Sequence, residues 1–341
     1  MNKISNWRWI GLTGVLILAT ALTFSVVGYS SDTKPADTKA AKIDYPTKPV
    51  NLYVPMAAGG VTDTFCRALS EAMKRTGFPK PVVLVNKPGA GGITGTAEFV
   101  RQKPDGYNIS PGSYGWMALS IHMNKPAPYS IDDVTSIIQF CATPITLVVK
   151  ADAPWKNIKD LSDYAKANPR KVRLSHSGNG TFTHIIPVEF ADKVGAKFTF
   201  IPLAGTAPTI TSVLGGNSEV GSVYPSDAVP QVKSKEMRVL AIMSESRLKA
   251  LPDSPTLKEQ GIDMVRACGF PIVAPKGTRP EIIKFLHDSI KKAINDAAFV
   301  KQMTDLGFDV RYYNTQDADK MLRDWYKAGG ELVVKAGIAP K

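Results

Sequence analysis

Glycine-containing turns stand at the points of this sequence where short apolar runs give way to helical periodicity. Residues 57–62 read AAGGVT and residues 86–92 read NKPGAGG, while HSGNGT at 176–181 and AGTAP at 204–208 are similar. The first turn of a helix carries unpaired backbone N–H groups and a partial positive charge, and glycine lets an anion approach them. This spacing therefore predicts a binding site in which backbone donors hold a small anion.

Catalytic motifs are missing from the same sequence. GAGGITG at 89–95 lacks the third glycine of a dinucleotide-binding fingerprint, because Thr94 stands there, and no loop continues into the Lys-Ser/Thr pair of a P-loop. There is no G-x-S-x-G elbow, and Ser175, His176 and Ser177 are neighbours whose side chains point apart. The histidines and cysteines show no metal-ligand spacing. The sequence indicates binding without catalysis; an exported α/β enzyme acting on a phosphate or carboxyl ester is the alternative.

A strand, a glycine-rich turn and a helix recur four times. The β-prone runs read PVNLYVP, VVLV, KVRLS and KFTFIPL, and each precedes one of the four turns. After the first turn, helical spacing places on one face Phe65, Ala68, Leu69, Ala72 and Met73. The pattern is typical of an α/β protein with largely parallel sheets, in which ligands bind at the carboxyl ends of the strands.

The first 28 residues are typical of a secretory signal peptide. Lys3 and Arg8 precede an uncharged apolar stretch at 10–28, and a polar segment at 29–42 follows as a flexible leader. An uncleaved membrane anchor is the alternative, because the apolar stretch is close to the ~20 residues that cross a bilayer. We therefore expect an exported protein.

The charge balance and the cysteines narrow the possible partners. The formal net charge of +12 falls to +10 without Lys3 and Arg8, and it suits an anionic partner. Nucleic acid is a poor candidate because the basic residues form no run interleaved with aromatics. Three cysteines allow one disulfide at most, so we expect Cys66, Cys141 and Cys268 to fill apolar space.

Five blocks of the sequence resemble a known receptor family. They read YPTKPVNLYVPMAAGGVTDTFCRALSEAM, VNKPGAGGITGTAEFVRQKPDGYNI, LSHSGNGTFTH, SEVGSVYPSDAVPQVKSKEMRVLAIMSESRLKALPDSPTLKEQG and IVAPKGTRPEIIKFL. The chain is similar to the extracytoplasmic solute receptors of the tripartite tricarboxylate transporters, the TctC or Bug family. The resemblance implies a type II periplasmic binding protein fold: two α/β lobes joined by two crossing strands, with a ligand cleft between them. It also implies a monomeric periplasmic receptor that hands a small carboxylate to an integral membrane permease and uses no cofactor or metal.

The same resemblance divides the chain into lobes. Lobe I comprises residues 43–144 and 270–341, and lobe II comprises residues 145–269. In lobe I, Pro280 is expected to start a helix whose apolar face contains Ile282, Ile283, Leu286, Ile290 and Ile294. Contact of one ligand with both lobes would favour the closed state.

The family's ligand loops fall on residues that the glycine pattern already singles out. In the family, the loops matching 57–62 and 88–92 hold one carboxylate through backbone amides and ordered water, and the loops of the other lobe define the far end of the ligand. The resemblance thus assigns ligand contacts to Ala57, Ala58, Gly59, Gly60, Val61, Thr62, Gly89, Ala90, Gly91, Gly92, Ser175, Ser177, Gly178, Thr181, Ala204, Gly205, Thr206, Tyr224 and Phe270.

This sequence departs from the family at the far end of the site. A lysine that many relatives place before Gly205 is absent, Tyr224 stands where an aspartate is common, and CGFP at 268–271 replaces a Ser-Trp-Phe-Gly segment. These changes favour an acidic or aromatic distal group, so we expect a di- or tricarboxylate with a preference for aromatic acids such as terephthalate or phthalate. Arg266 is either the partner of a second carboxylate or a surface residue.

Several neighbouring residues have structural interpretations. Asp63 is expected to brace the first helix, because it would repel an anion, and His184 is expected to make a structural hydrogen bond. Tyr114, Trp116 and Phe182 lie near the predicted cleft loops, where aromatics form core or wall. The sequence does not separate transport from a role as the ligand-loading partner of a sensor.

Overall fold

The computed structural model describes residues 43–340, and the predicted signal peptide (1–28) and leader (29–42) lie outside them. The strands are Val50–Val54 (β1), Val82–Asn86 (β2), Asn108–Pro111 (β3), Val134–Pro144 (β4), Thr146–Lys150 (β5), Arg173–His176 (β6), Thr199–Pro202 (β7), Val220–Val223 (β8), Met237–Ile242 (β9), Ala267–Pro275 (β10) and Asp309–Tyr313 (β11). The α-helices are Val61–Arg75 (α1), Ile93–Phe99 (α2), Ile158–Ala167 (α3), Phe182–Val194 (α4), Thr206–Leu214 (α5), Pro225–Lys233 (α6), Pro280–Ile294 (α7), Ala297–Asp305 (α8) and Thr315–Lys335 (α9). Short 3-10 or π-helical turns occupy Ala90–Gly92, Tyr114–Leu119, Ser120–Met123 and Ile131–Asp133. None of the helices within 43–340 combines the length and apolar character needed to cross a membrane.

The strands form two mixed sheets. The first has the order β11-β4-β10-β3-β1-β2 and the second has the order β7-β6-β8-β5-β9. β1 runs parallel to β2 and β3, and β6 runs parallel to β7 and β8, whereas β4, β5, β9, β10 and β11 make antiparallel pairs. The prediction of an α/β fold is confirmed, but that of largely parallel sheets is wrong. Crossover helices impose parallel pairing only within the strand-turn-helix units, and long strands such as β4 and β10 pair side by side in opposite directions.

The predicted helix faces provide much of the core. In α1 the buried apolar positions include the five that helical spacing singled out, and β1 alternates buried and half-buried residues as it pairs with β2 and β3. In α7, Pro280 is the first helical residue and all five predicted isoleucine and leucine positions are buried. Because α7 and α8 both pack against α1, the C-terminal helices cover the first sheet.

The chain passes between the two sheets twice. β4 ends at Pro144 in the first sheet and β5 starts at Thr146 in the second, while β9 ends in the second sheet and β10 returns to the first. These passages are where the sequence placed the lobe boundaries, although β10 already joins the first sheet at Ala267. The division of the chain at 144 and 269 stays a prediction.

Candidate ligand cavity

The loop before α1 presents bare backbone at a helix start. Gly60 is the N-cap of α1 with φ −79°, and no side chain caps the helix there. The residue before it, Gly59, has φ +82°, a left-handed conformation that glycine adopts without strain. The first-turn N–H groups of α1 have no partner four residues earlier within the helix, so they are available to an anion.

Asp63 braces this loop instead of facing a ligand, as predicted. Its side chain is 2% exposed and accepts hydrogen bonds from the Gly59 amide at 2.9 Å, from Nε of Arg67 at 2.8 Å and from Nδ2 of Asn86 at 3.0 Å. Burial raises the pKa of Asp63, but the hydrogen bonds from Arg67, Gly59 and Asn86 outweigh it and hold that pKa below its usual value. An ionised Asp63 therefore ties α1 to the end of β2.

The second loop follows β2 and turns tightly into α2. Gly89 and Gly92 have φ +150° and +100°, and a Cβ on Gly92 would lie 2.9 Å from Cγ of Trp116. A Cβ on Gly89 would lie 2.8 Å from Oγ1 of Thr94. Both glycines are therefore required by close approach as well as by backbone conformation.

The third loop, between β6 and α4, is built around two stacked histidines. The rings of His176 and His184 lie 4.1 Å apart at 10°, with Nδ1 of His176 3.0 Å from the Gly178 carbonyl oxygen. The Gly180 amide donates to Nδ1 of His184 at 3.2 Å, which confirms the predicted structural hydrogen bond. Burial lowers the pKa of His176 to about 3, with a contribution from His184, and burial lowers the pKa of His184 to about 4. Both rings are therefore neutral at pH 7.

The turns after β7 and β8 meet through an aspartate. The hydroxyl of Thr206, the first residue of α5, donates to Oδ1 of Asp227 at 2.9 Å, and the Tyr224 amide lies 3.3 Å from Oδ2. Burial raises the pKa of Asp227 to about 6, against the lowering effect of these two hydrogen bonds. Behind Tyr224, burial raises the pKa of Cys268 to about 11, and its Sγ lies 3.3 Å from Oγ of Ser113.

These turns enclose one cavity and border a second. The first, of about 390 Å³, is within the usual range for small-molecule sites. An adjoining cavity of about 620 Å³ is lined by four of these turns, with Ala57, Gly91, Ser177 and Ala204 among its residues. Within residues 43–340, no charged side chain lines either cavity.

The cavities bring together all but one of the predicted ligand residues. The smaller cavity is lined by Ala57, Ala58, Gly59, Gly60, Val61, Thr62, Gly91, Ser177, Thr181, Ala204, Gly205, Thr206, Tyr224 and Phe270, and the larger adds Gly89, Ala90, Gly92 and Gly178. Ser175 is the exception and a correction to the predicted set. Its hydroxyl is fully buried, 2.8 Å from Oγ of Ser218 and 3.3 Å from the Val220 carbonyl oxygen, because it belongs to β6 and bonds across the second sheet.

Sequence reasoning missed other lining residues. Met56, Ser113, Gly115, Ser120, Ala207 and Pro208 all line the smaller cavity, together with Trp116 and Phe182, which the sequence placed only near it. A signal for part of this set was present, because SPGSYGW at 110–116, where β3 ends, contains another glycine-bearing turn that leads into a short helix. Asp227, which holds Thr206, had no signal beyond its place in the first turn of α6.

Arg266 does not take part in the cavity. Its Nε lies 2.9 Å from Oε2 of Glu189, and it lines a separate groove with Trp325 and Lys335. Its role as partner of a second ligand carboxylate is thus not supported, and the surface interpretation holds. The three cysteines are buried, as expected.

The sequence of this chain matches a known receptor family. A family model described as "Tripartite tricarboxylate transporter family receptor" matches residues 65–338. The chain belongs to this receptor family. A curated relative from Cupriavidus necator, the UPF0065 protein in the gbd 5′ region, is 33% identical over 313 residues, or 89% of this chain and 92% of the relative. Protein BugT of Bordetella pertussis is 29% identical over 260 residues, or 75% of this chain and 79% of BugT.

Solved structures of receptors share the fold. The periplasmic binding protein BugD is 31% identical, with a TM-score of 0.77 over 87% of this chain and 100% of BugD. The R. palustris protein Rpa4515, solved with adipate, is 25% identical, with a TM-score of 0.80 over 87% of this chain and 100% of that protein. The type II periplasmic binding protein fold is therefore confirmed, and this receptor is a binding protein rather than an enzyme.

Proposed function

We propose that this receptor captures a small organic carboxylate in the periplasm and delivers it to the integral membrane permease of a tripartite tricarboxylate transporter. The observation that carries the proposal is the uncapped start of α1, which meets the glycine loop before α2 at a cavity without charged lining residues. An anion there is held by uncharged donors: backbone N–H groups, hydroxyls, the indole N–H of Trp116 and the side-chain amides of Asn124 and Asn179. The predicted signal peptide provides the route to the periplasm, and the receptor acts as a single chain.

The walls of the cavity favour a ligand with an apolar body. Trp116, Phe182, Tyr224 and Phe270 line it, and Phe270 packs its ring 5.1 Å from that of Phe65 in the core. Fixed aromatic walls suit a flat ring or a short aliphatic chain. We therefore propose an aromatic or short aliphatic acid, with benzoate-type and adipate-type compounds as the first candidates.

The test is a thermal-shift screen of the chain from Tyr29 onward. The panel contains aliphatic and aromatic mono-, di- and tricarboxylates, with phosphate esters as controls, and the ligand is recovered afterwards for analysis. A ligand at 100 times its Kd adds about 2.7 kcal/mol to the free energy of unfolding, which gives a clear shift. A shift by carboxylates with unchanged recovery supports the proposal; a shift by phosphate esters alone, or consumption of a compound, contradicts it.

A single position allows a matched variant. A Cβ on Gly60 would meet only the Ala57 carbonyl oxygen at 3.6 Å, and φ is ordinary there, so an added Cβ fits without strain. Gly60→Val should leave the melting temperature of the free protein near that of the wild type and remove the carboxylate-induced shift, because the side chain shields the α1 amides. Gly60→Ala should give an intermediate shift. An undiminished shift in Gly60→Val would place the ligand elsewhere.

A further inference from the structure

Asp227 lies directly behind two residues of the cavity wall that the second sheet contributes. That wall consists of Ala204–Pro208 and Tyr224, and we call it the second-sheet wall. Asp227 itself lines neither cavity; its carboxylate accepts the Thr206 hydroxyl at 2.9 Å and faces the Tyr224 amide at 3.3 Å. It therefore acts on a ligand through the groups it holds.

The hydrogen bond fixes what Thr206 can offer. An ionised carboxylate only accepts hydrogen bonds, so the single hydroxyl proton of Thr206 is directed at Asp227. The lone pairs of the hydroxyl oxygen then remain for a ligand, and they require a donor. With the pKa of Asp227 near 6, the carboxylate is ionised at pH 8 and this arrangement is complete.

The surroundings give a second carboxylate no cationic side chain. No lysine, arginine or histidine side chain among the described residues lines the cavity, and the carboxylate of Asp227 adds a negative charge behind the wall. The first turn of α5 has free amide N–H groups, although Pro208 contributes none. The negative charge of Asp227 already offsets the partial positive charge at the start of α5. A ligand anion at this wall would meet repulsion and a hydroxyl that cannot donate to it.

We propose that Asp227 is a specificity-determining residue that makes the second-sheet wall reject a second carboxylate and accept a hydrogen-bond donor. The preferred ligand is then a monocarboxylate whose far end carries a hydroxyl or amide N–H group. The inference rests on the proposed function, since it assumes that the ligand carboxylate occupies the α1 loop. It disfavours the di- and tricarboxylates that the sequence suggested, and the adipate-type candidates as well, because all of them carry a second carboxylate.

The test is isothermal titration at pH 8 with ligands that differ only at the far end. The aromatic series is 4-hydroxybenzoate, 4-carbamoylbenzoate, 4-methylbenzoate and terephthalate; the aliphatic pair is 6-hydroxyhexanoate and adipate. In at least one series the donor-bearing acid should bind about 10- to 100-fold more tightly than the dicarboxylate, the range expected when a buried charge lacks a partner. Equal or tighter binding of the dicarboxylates overturns the inference while leaving the receptor function intact. Failure of all six to bind overturns the inference, and the thermal-shift screen then decides the receptor function separately.

Two variants separate charge from hydrogen bonding. Asp227→Asn keeps an acceptor for the Thr206 hydroxyl and removes the charge, so the ratio of hydroxy-acid to dicarboxylate affinity should fall about tenfold. Thr206→Val keeps the charge and removes the acceptor, so 4-hydroxybenzoate should lose its advantage over 4-methylbenzoate while terephthalate stays weak. Unchanged ratios in both variants would overturn the assignment of Asp227. If Asp227→Asn does not fold, the affinities of Thr206→Val and of the wild type for the same ligands test the role of Asp227.

Discussion

The stacked histidines of the third loop should make the receptor sensitive to acid. His176 and His184 have pKa values of about 3 and about 4 in the folded protein and about 6.5 when unfolded. Below pH 6.5 the unfolded chain therefore binds more protons than the folded protein. The stability that the two neutral histidines contribute is fully present above pH 6.5 and is lost as the pH falls toward 4. Between these pH values each imidazole lowers the free energy of unfolding by about 1.4 kcal/mol for each pH unit of acidification. His184 alone should lower it by about 2 kcal/mol between pH 6 and pH 4.5.

The contacts explain why neither ring accepts a proton. Nδ1 of His184 already receives the Gly180 N–H, so protonation there breaks the hydrogen bond that shapes the loop. His176 directs Nδ1 toward the Gly178 carbonyl oxygen, and its buried Nε2 has no hydrogen-bond partner within residues 43–340 that could stabilise an added charge. Protonation of either ring places an unpaired charge in the interior.

The assay is equilibrium urea unfolding, followed by tryptophan fluorescence, at pH 4.5 to 8. His184→Asn keeps an acceptor near Gly180 but removes the titration, so its stability should be lower than wild type at pH 8 and the two curves should converge on acidification. Ser177→Ala is the matched control, since it deletes the 2.6 Å contact with Oγ1 of Thr183 in the same loop and removes no imidazole. Its curve should run parallel to the wild type. If His184→Asn and the wild type show the same dependence of stability on pH, titration of His184 does not cause the acid sensitivity.

Four further substitutions have defined outcomes. Gly92→Ala should lower the free energy of unfolding by about 2–4 kcal/mol, because its Cβ would lie 2.9 Å from the Trp116 ring, whereas Gly59→Ala, with open space around it, should cost only the ~1–2 kcal/mol of the left-handed backbone; equal losses in urea unfolding would contradict this. Asp63→Asn should cost about 2–3 kcal/mol at pH 7, and the difference should shrink as the pH falls toward the lowered pKa of Asp63; a deficit that does not change with pH would argue against an electrostatic origin. Phe270→Ala should cost about 3–5 kcal/mol and weaken binding of benzoate-type acids measured by titration calorimetry, so unchanged affinity would remove Phe270 from the ligand wall.

Local rules were sufficient for the parts of the fold that repeat. The glycine turns, the buried face of α1 and the start of α7 at Pro280 all follow from short-range periodicity and helix-end chemistry. The antiparallel pairing of β4 with β10 was not predictable in this way, since it joins segments more than a hundred residues apart and neither strand carries a turn signal for its partner. Register between distant strands depends on the assembled core.

The site shows the same limit at the level of single residues. Ser175 and Ser177 look alike in sequence, but Ser175 belongs to β6 and bonds to Ser218, while Ser177 lies in the loop and lines the cavity. Asp227 escaped notice because an acidic residue in the first turn of a helix is an ordinary cap. Only the assembled second sheet brings α5 next to α6 and places Thr206 in its reach.

In this receptor the ligand carboxylate is proposed to bind the backbone amides of the loops that precede α1 and α2. An amide-resolved NMR titration of the isotopically labelled receptor, with the tightest acid of the thermal-shift screen, tests it most directly. We expect the largest shifts to fall on the amides of Gly60, Val61, Thr62 and Gly91, at a ligand stoichiometry of one. Saturable binding with those amides unmoved, and with the largest shifts around Arg266 in the separate groove, would contradict it.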